Sequence, residues 1–414
     1  MRPHYAWVVL AIGTLVVFGS LGLGRFGYTV ILPSMQQGLG LDNTGAGALS
    51  TANLIGYITL SAIGGALAAR YGPRTVIAAG LALVGVGMIF TGTVTGFASA
   101  AIWRALTGLG SGASNVPVMA LMAAWFASRR RGLASGVAVA GSSVGLIVVG
   151  PLVPRILSAY GENGWRVSWF VFGGATLALA VFAYSLLRNR PAEMGLRPAG
   201  DDAVGDPPAA RPSSPAPLDW GRVYRSWTVW HLGLVYVAFG FSYIIYMTFF
   251  TKGLIAQGGY SKEAAGSLFM AMGWISLLCG LIWGTVSDVI GRKGALVIVY
   301  LIHAVAFGLF AFWPAPPGFT LSAILFGLAA WSIPAIMAAT CGDILGPRLA
   351  PAALGFITLF FGLGQAVGPS VAGAMADAAG TFTPAFALAA FVALLGAGSA
   401  WMLRPAATAP VAAV

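Results

Sequence analysis

Arg25 stands in an otherwise apolar stretch running from residue 6 to about residue 35. Arginine keeps its proton in any protein environment, and a charge at the centre of a bilayer costs at least about 2.5 kcal/mol. Such a residue persists only by facing a protein interior or a water-filled path, and its sign suits an anion. The plainer reading is a structural pin bonded to carbonyls of neighbouring helices. Tyr28 and Thr29 follow at i+3 and i+4, so on a regular α-helix they share its face. In a later apolar stretch Tyr236, Tyr243 and Tyr246 fall at i, i+7 and i+10. Arg104, Gly108, Ser111 and Asn115 form a further stripe, although small residues in such stripes chiefly let helices approach closely. A guanidinium beside phenols matches a carboxylate, with paired N–H donors plus neutral hydroxyls. Trp274, Trp331 and Gln365 are candidate lining residues, set against the ordinary role of aromatics as packing or interfacial anchors.

The elements that must position these residues follow from composition. Of 414 residues 58% are apolar and 8% charged, against about 25% charged in soluble domains, so lipid is the main solvent. Twelve apolar stretches are long enough to cross about 30 Å of hydrocarbon. They are 6–35, 46–69, 75–96, 98–126, 132–159, 165–187, 228–255, 262–286, 294–313, 319–345, 349–376 and 382–403. The first continues beyond a signal-peptide core and is read as a span. Residues 189–226 hold seven prolines with Asp201, Asp202 and Asp206, a composition that cannot bury a core. The expectation is an all-α membrane protein of twelve transmembrane helices in two six-helix halves. Residues 1–188 form one half, 189–226 a flexible cytoplasmic linker and 227–414 the other half. With both termini cytoplasmic, 16 of the 22 basic residues lie on that side, as the positive-inside rule requires. That placement accounts for the net charge of +11 through topology, with no nucleic-acid partner.

The halves repeat at a fixed offset. Gly65 to Gly72 is echoed 219 positions later by Gly284 to Gly291, and both Gly150-Pro151 and Tyr28 are echoed 218 positions on, at Gly368-Pro369 and Tyr246. Parallel repeats are a transporter plan with the substrate site between the halves. Gly284 to Lys293, with Asp288, Gly291 and Arg292, resembles the loop signature between the second and third helices of the major facilitator superfamily. The first copy, Gly64 to Arg74, keeps Gly65, Gly72 and Arg74 but has Ala69 where an aspartate is usual. Arg104, Gly108 and Gly112 resemble the fourth-helix motif of that superfamily. The resemblance implies a gating role for Arg70, Arg74, Arg104, Asp288 and Arg292, with alternating access.

A narrower resemblance begins at Trp125-Phe126. Arg129 to Gly136, Ala140-Gly141 and Gly145 look like the fifth-helix entry of monocarboxylate and oxalate/formate porters, and Asn189 to Leu196 is similar to bacterial members. Gly24 to Thr29 and Phe241 to Thr248 resemble a sparsely characterised set of bacterial permeases. These porters usually carry a substrate-binding arginine in the eighth helix, but Gly266 to Gly284 holds no basic residue. The resemblance implies that Arg25 takes over that role, opposite its repeat counterpart Tyr243.

Coupling is less determined. None of the eleven acids is expected deep in a span. His303 titrates near neutral pH in its ordinary state but reads more readily as packed or lipid-facing, and Asp343 is the acid to test. Proton symport, an acid carrying its own proton and anion exchange remain alternatives. Cys279 and Cys341 are read as small packing residues. No metal cluster, nucleophile elbow or phosphate loop is present in context, so neither enzyme chemistry, a cofactor nor a metal is expected. The expected function is transport of a small organic anion, a monocarboxylate, by a monomer in a bacterial inner membrane. Efflux of amphipathic compounds, suggested by Gly150-Pro151, and a non-transporting sensor are the alternatives.

Overall fold

The computed structural model describes residues 4–201 and 220–403, side chains at a few of these positions excepted, and it is built of helices. The first half contains α1 (Ala6–Leu39), α2 (Asn43–Tyr71), α3 (Pro73–Thr91), α4 (Phe97–Trp125), α5 (Ser128–Val139), α6 (Gly141–Tyr160) and α7 (Gly164–Leu186). The second contains α8 (Trp227–Gly258), α9 (Lys262–Ser276), α10 (Cys279–Ile290), α11 (Arg292–Phe312), α12 (Pro316–Ala329), α13 (Ser332–Ala379) and α14 (Thr383–Trp401). Among the described residues eight helical segments are long and apolar enough to cross a membrane, or nine if the bent α2 is one span. Each of the twelve expected stretches falls on helix. The stretches 319–345 and 349–376 run together, because α13 continues for 48 residues.

Local chemistry sets the helix ends. Asp42 caps α2 by accepting the Gly45 N–H at 2.7 Å, and Ser261 caps α9 through Ala264. The repeat is visible in backbone geometry. Gly72, between α2 and α3, and Gly291, between α10 and α11, have φ of 83° and 84°, a region other residues enter only with strain. Both turns lie on the face that carries the described ends of the chain. The arginines after them are held differently. Arg292 pairs with Asp288 at 2.5 Å and Asp343 at 3.0 Å. Arg74, which has Ala69 instead of an aspartate nearby, bonds the Tyr184 carbonyl and lies over the Tyr184 ring.

In lipid the hydrophobic effect does little to join apolar helices, so close backbone approach and interhelical hydrogen bonds must do so. A methyl group at Gly108 or Gly112 of α4 would run into the Asn53 or Tyr57 carbonyl of α2. The halves meet by the same means. Gly47 of α2 lies against Pro369 of α13, and Gly150 of α6 against Gly266 of α9. The described start of the interdomain segment is fastened to the first half. Ala199 pairs with Trp125 and Ala127 in a short parallel bridge, and Asn189 accepts the Arg74 N–H. Residues 202–219, where the rest of the expected linker falls, lie outside the described residues.

One irregularity governs the centre. Phe18–Phe26 of α1 winds as a nine-residue π-helix. Stretches with i→i+5 bonding are uncommon and concentrate at functional sites. Two of its carbonyls are engaged from α4, Gly24 by Arg104 Nη1 at 2.8 Å and Ser20 by Ser111 Oγ at 2.9 Å. Gly22 lies so close to α6 that a Cβ there would sit 2.7 Å from the Gly145 Cα. Replacing Arg104 with Ala should therefore destabilise the fold by about 1.5–3 kcal/mol, the range for a hydrogen bond to a charged group. Melting of the detergent-purified protein checks this, and an unchanged transition would remove Arg104 as the pin. Gly22→Val should cost about 1–3 kcal/mol through overpacking. A wild-type melting temperature for that variant would show that α1 and α6 part without penalty.

Candidate functional site

The π-helix ends at Phe26 and places Arg25 between the halves. Its guanidinium carbon lies 4.2 Å from the centroid of the Tyr57 ring on α2, a cation–π arrangement. The Tyr243 hydroxyl of α8 faces the same guanidinium. Each phenol is met from behind by a carboxamide. Asn115 Nδ2 of α4 donates to the Tyr57 hydroxyl at 3.1 Å, and Gln365 Nε2 of α13 donates to that of Tyr243. Phe239 and Phe361 stack on the Tyr243 ring at 4.6 and 5.9 Å. Arg25 is 8% exposed, yet its Nε and Nη2 have no hydrogen-bond partner. Among the described residues no carboxylate pairs with it. The arrangement offers a fixed positive charge with two free N–H-bearing nitrogens, which suits an anion.

Arg104 is the contrasting case. It is also buried, but Nη1 is spent on Gly24 and the guanidinium lies over Tyr28 and Trp169 at 4.6 and 5.1 Å. It pins the segment that carries Arg25.

Several expected site residues are engaged elsewhere. The Tyr28 hydroxyl donates to the Ala46 carbonyl at 2.7 Å and Thr29 to the Met247 carbonyl at 2.8 Å. Thr29 therefore faces α8 as Arg25 does, one turn on, and Tyr28 faces α2, but both hydroxyls are committed to backbone carbonyls. Tyr246 bonds Ser322 within the second half, inside a cage of phenylalanines. Trp274 is 59% exposed and makes no contact with the Arg25 group among the described interactions. Trp331 donates from Nε1 to Ser143 Oγ at 2.9 Å and packs on Phe26, which places it at the junction of the halves. His303 is buried among Phe239, Phe307 and Phe326 with both ring nitrogens unpartnered. Asp343 is held by Arg292 at the face carrying the termini, and Arg70 is exposed near Tyr71. Cavities of about 650 and 520 Å³ open on the second half, around His231 and around Arg292; Arg25 lines neither.

Two features escaped sequence reasoning. Tyr57 carries no motif and is recognisable only once α2 is packed on α4. The second is a seal at the face opposite the termini. Asp377 of α13 accepts from the Asn43 and Thr44 N–H groups at 3.0 and 2.7 Å and from the Thr44 hydroxyl at 2.6 Å. Lys252 of α8 donates to Gln36 and Asn43. Below them Thr51 bonds Ala366 and Ser370 across the same junction. The available signal was an acid and a base near span ends in the second half, with an amide-rich turn in the first.

This architecture is shared with known transporters. The chain is 26% identical over 386 residues to the "Hexuronate transporter" of Bacillus subtilis (strain 168), covering 89% of this chain and 87% of that one. It is 26% identical over 406 residues to "Monocarboxylate transporter 11" of Homo sapiens, covering 95% and 81%. Among solved structures, the bacterial homologue of the human lysosomal transporter Spinster, in an inward-facing and unoccupied conformation, superposes with a TM-score of 0.76. It has 17% identity and covers 97% of this chain and 98% of that chain. The family described as "Uncharacterised MFS-type transporter YbfB" matches residues 17–400. The chain therefore belongs to this family of major facilitator transporters, a family of carriers and not of enzymes.

Proposed function

We propose that the chain moves a small organic anion, a monocarboxylate, across a bacterial inner membrane by alternating access, with Arg25 pairing to the anion. The observation that carries this reading is the buried Arg25 guanidinium with Nε and Nη2 unpartnered and, among the described residues, no carboxylate beside it. A charge buried without compensation costs several kcal/mol, which a transiently bound anion offsets. The relatives named for hexuronate and monocarboxylate support the carboxylate class. We take the twelve helical stretches as twelve spans, with both termini in the cytoplasm as the distribution of basic residues favours. In that orientation the Asp377–Thr44 and Lys252–Asn43 contacts close the outer face, and transport requires them to break and re-form.

Arg25→Lys should weaken anion binding by at least about tenfold although the charge is kept, because the planar two-pronged donor is lost. Arg25→Ala should abolish uptake. Both are read in proteoliposomes with labelled lactate, pyruvate, formate and oxalate, and wild-type transport in both variants would refute the role of Arg25. Asp377→Ala should shift the population toward the outward-open state, since charge-assisted hydrogen bonds of roughly 1.5–3 kcal/mol are removed. An impermeant maleimide added to intact cells should then label Ser50→Cys about tenfold faster than without the Asp377 change. Equal labelling would show that Asp377 does not hold the seal.

A further inference from the structure

Taking Arg25 as the anion anchor, we propose that the ligand is a hydroxylated carboxylate, such as a 2-hydroxy acid or a sugar acid, and not a bare one. The inference begins with the two carboxamides around the guanidinium. Gln365 is fully buried; its Nε2 is committed to the Tyr243 phenol, and its Oε1 has no hydrogen-bond partner. Asn115 repeats the pattern on the other flank, with Nδ2 on the Tyr57 hydroxyl and Oδ1 unpartnered. Buried polar atoms are paired in the large majority of cases. Four unpaired nitrogen and oxygen atoms in one five-residue constellation, two on Arg25 and one on each amide, therefore mark places that a ligand fills.

The chemistry of those atoms selects the ligand. Because each amide donates to a phenol oxygen, the hydroxyl hydrogens of Tyr57 and Tyr243 are released to turn toward Arg25, where they can donate to the same anionic group. The centre of the site is thus rich in donors: a guanidinium and two hydroxyls. The two amide oxygens on its flanks are acceptors only. A deprotonated carboxylate cannot donate a hydrogen bond, so formate, oxalate or propionate satisfies the centre and leaves both flanks unpaired. A hydroxyl beside the carboxylate supplies the missing donor. A site built to bond a hydroxyl discriminates strongly against the analogue that lacks one, because its own buried acceptor is then left alone.

The test is calorimetric titration of the purified full-length protein with matched pairs: lactate against propionate, glycerate against propionate, and gluconate against hexanoate. The hydroxylated member of each pair should bind roughly tenfold tighter or better. In Gln365→Leu and Asn115→Leu that ratio should fall toward one, and in Arg25→Ala both members should be lost. Equal affinity within the wild-type pairs overturns the proposal while leaving the anion reading intact, and this comparison needs no variant to fold. A preference for malonate over every hydroxy acid also overturns it, since the amides would then present N–H groups inward. Absence of binding by all these acids sinks both the proposal and the anion reading.

Discussion

A guanidinium that cannot lose its proton must be solvated by protein when lipid surrounds the fold, and this chain buries two of them side by side. Arg104 meets it with a carbonyl of α1 and two aromatic faces, leaving only Nε without a partner. Arg25 satisfies it only in part, with one ring beneath it and a phenol alongside. The two are linked, because the carbonyl that Arg104 holds belongs to Gly24, the residue before Arg25. One charge is spent on aiming the other.

That dependence explains where the irregular backbone lies. A straight α-helix through Phe18–Phe26 would continue the register that groups Arg25 with Tyr28 and Thr29. All three stay on the side that meets α2 and α8, but Tyr28 and Thr29 spend their hydroxyls on the Ala46 and Met247 carbonyls while Arg25 meets Tyr57 and Tyr243. The glycines around it are the condition for this: Gly22 against Gly145, and Gly108 and Gly112 against the carbonyls of α2, bring the backbones close enough for side chains from four helices to converge.

Much of this was legible in the sequence. The apolar stretches, the fixed repeat offset, the anomaly of Arg25 and its pairing with Tyr243 all follow from composition and spacing, and Asn115 and Gln365 were among the candidates. What was not legible depended on geometry that one sequence does not carry. Helical periodicity places Tyr28 and Thr29 on the side of Arg25 but does not reveal that their hydroxyls are taken by the Ala46 and Met247 carbonyls. Periodicity also does not say which side of a span faces lipid, and so does not place Trp274. Tyr57 was missed because its significance comes from a neighbouring helix. The seal made by Asp377 and Lys252 was missed because one half supplies charges and the other supplies backbone N–H groups and amides, which leave no charge pattern to recognise.

The bond from Thr29 to the Met247 carbonyl joins two positions separated by the repeat offset of 218. Residues related by an internal twofold can touch only where they lie beside its axis, and Arg25 facing Tyr243 obeys the same condition. The internal twofold therefore passes close to Arg25 and Tyr243. A rocking of the halves turns about a line across this axis, so the contacts of Asn43 and Thr44 with Asp377, far from Arg25 toward one face, would separate most. Contacts level with Arg25 would change least, and those near Asp377 lie where a small rotation produces the largest displacement.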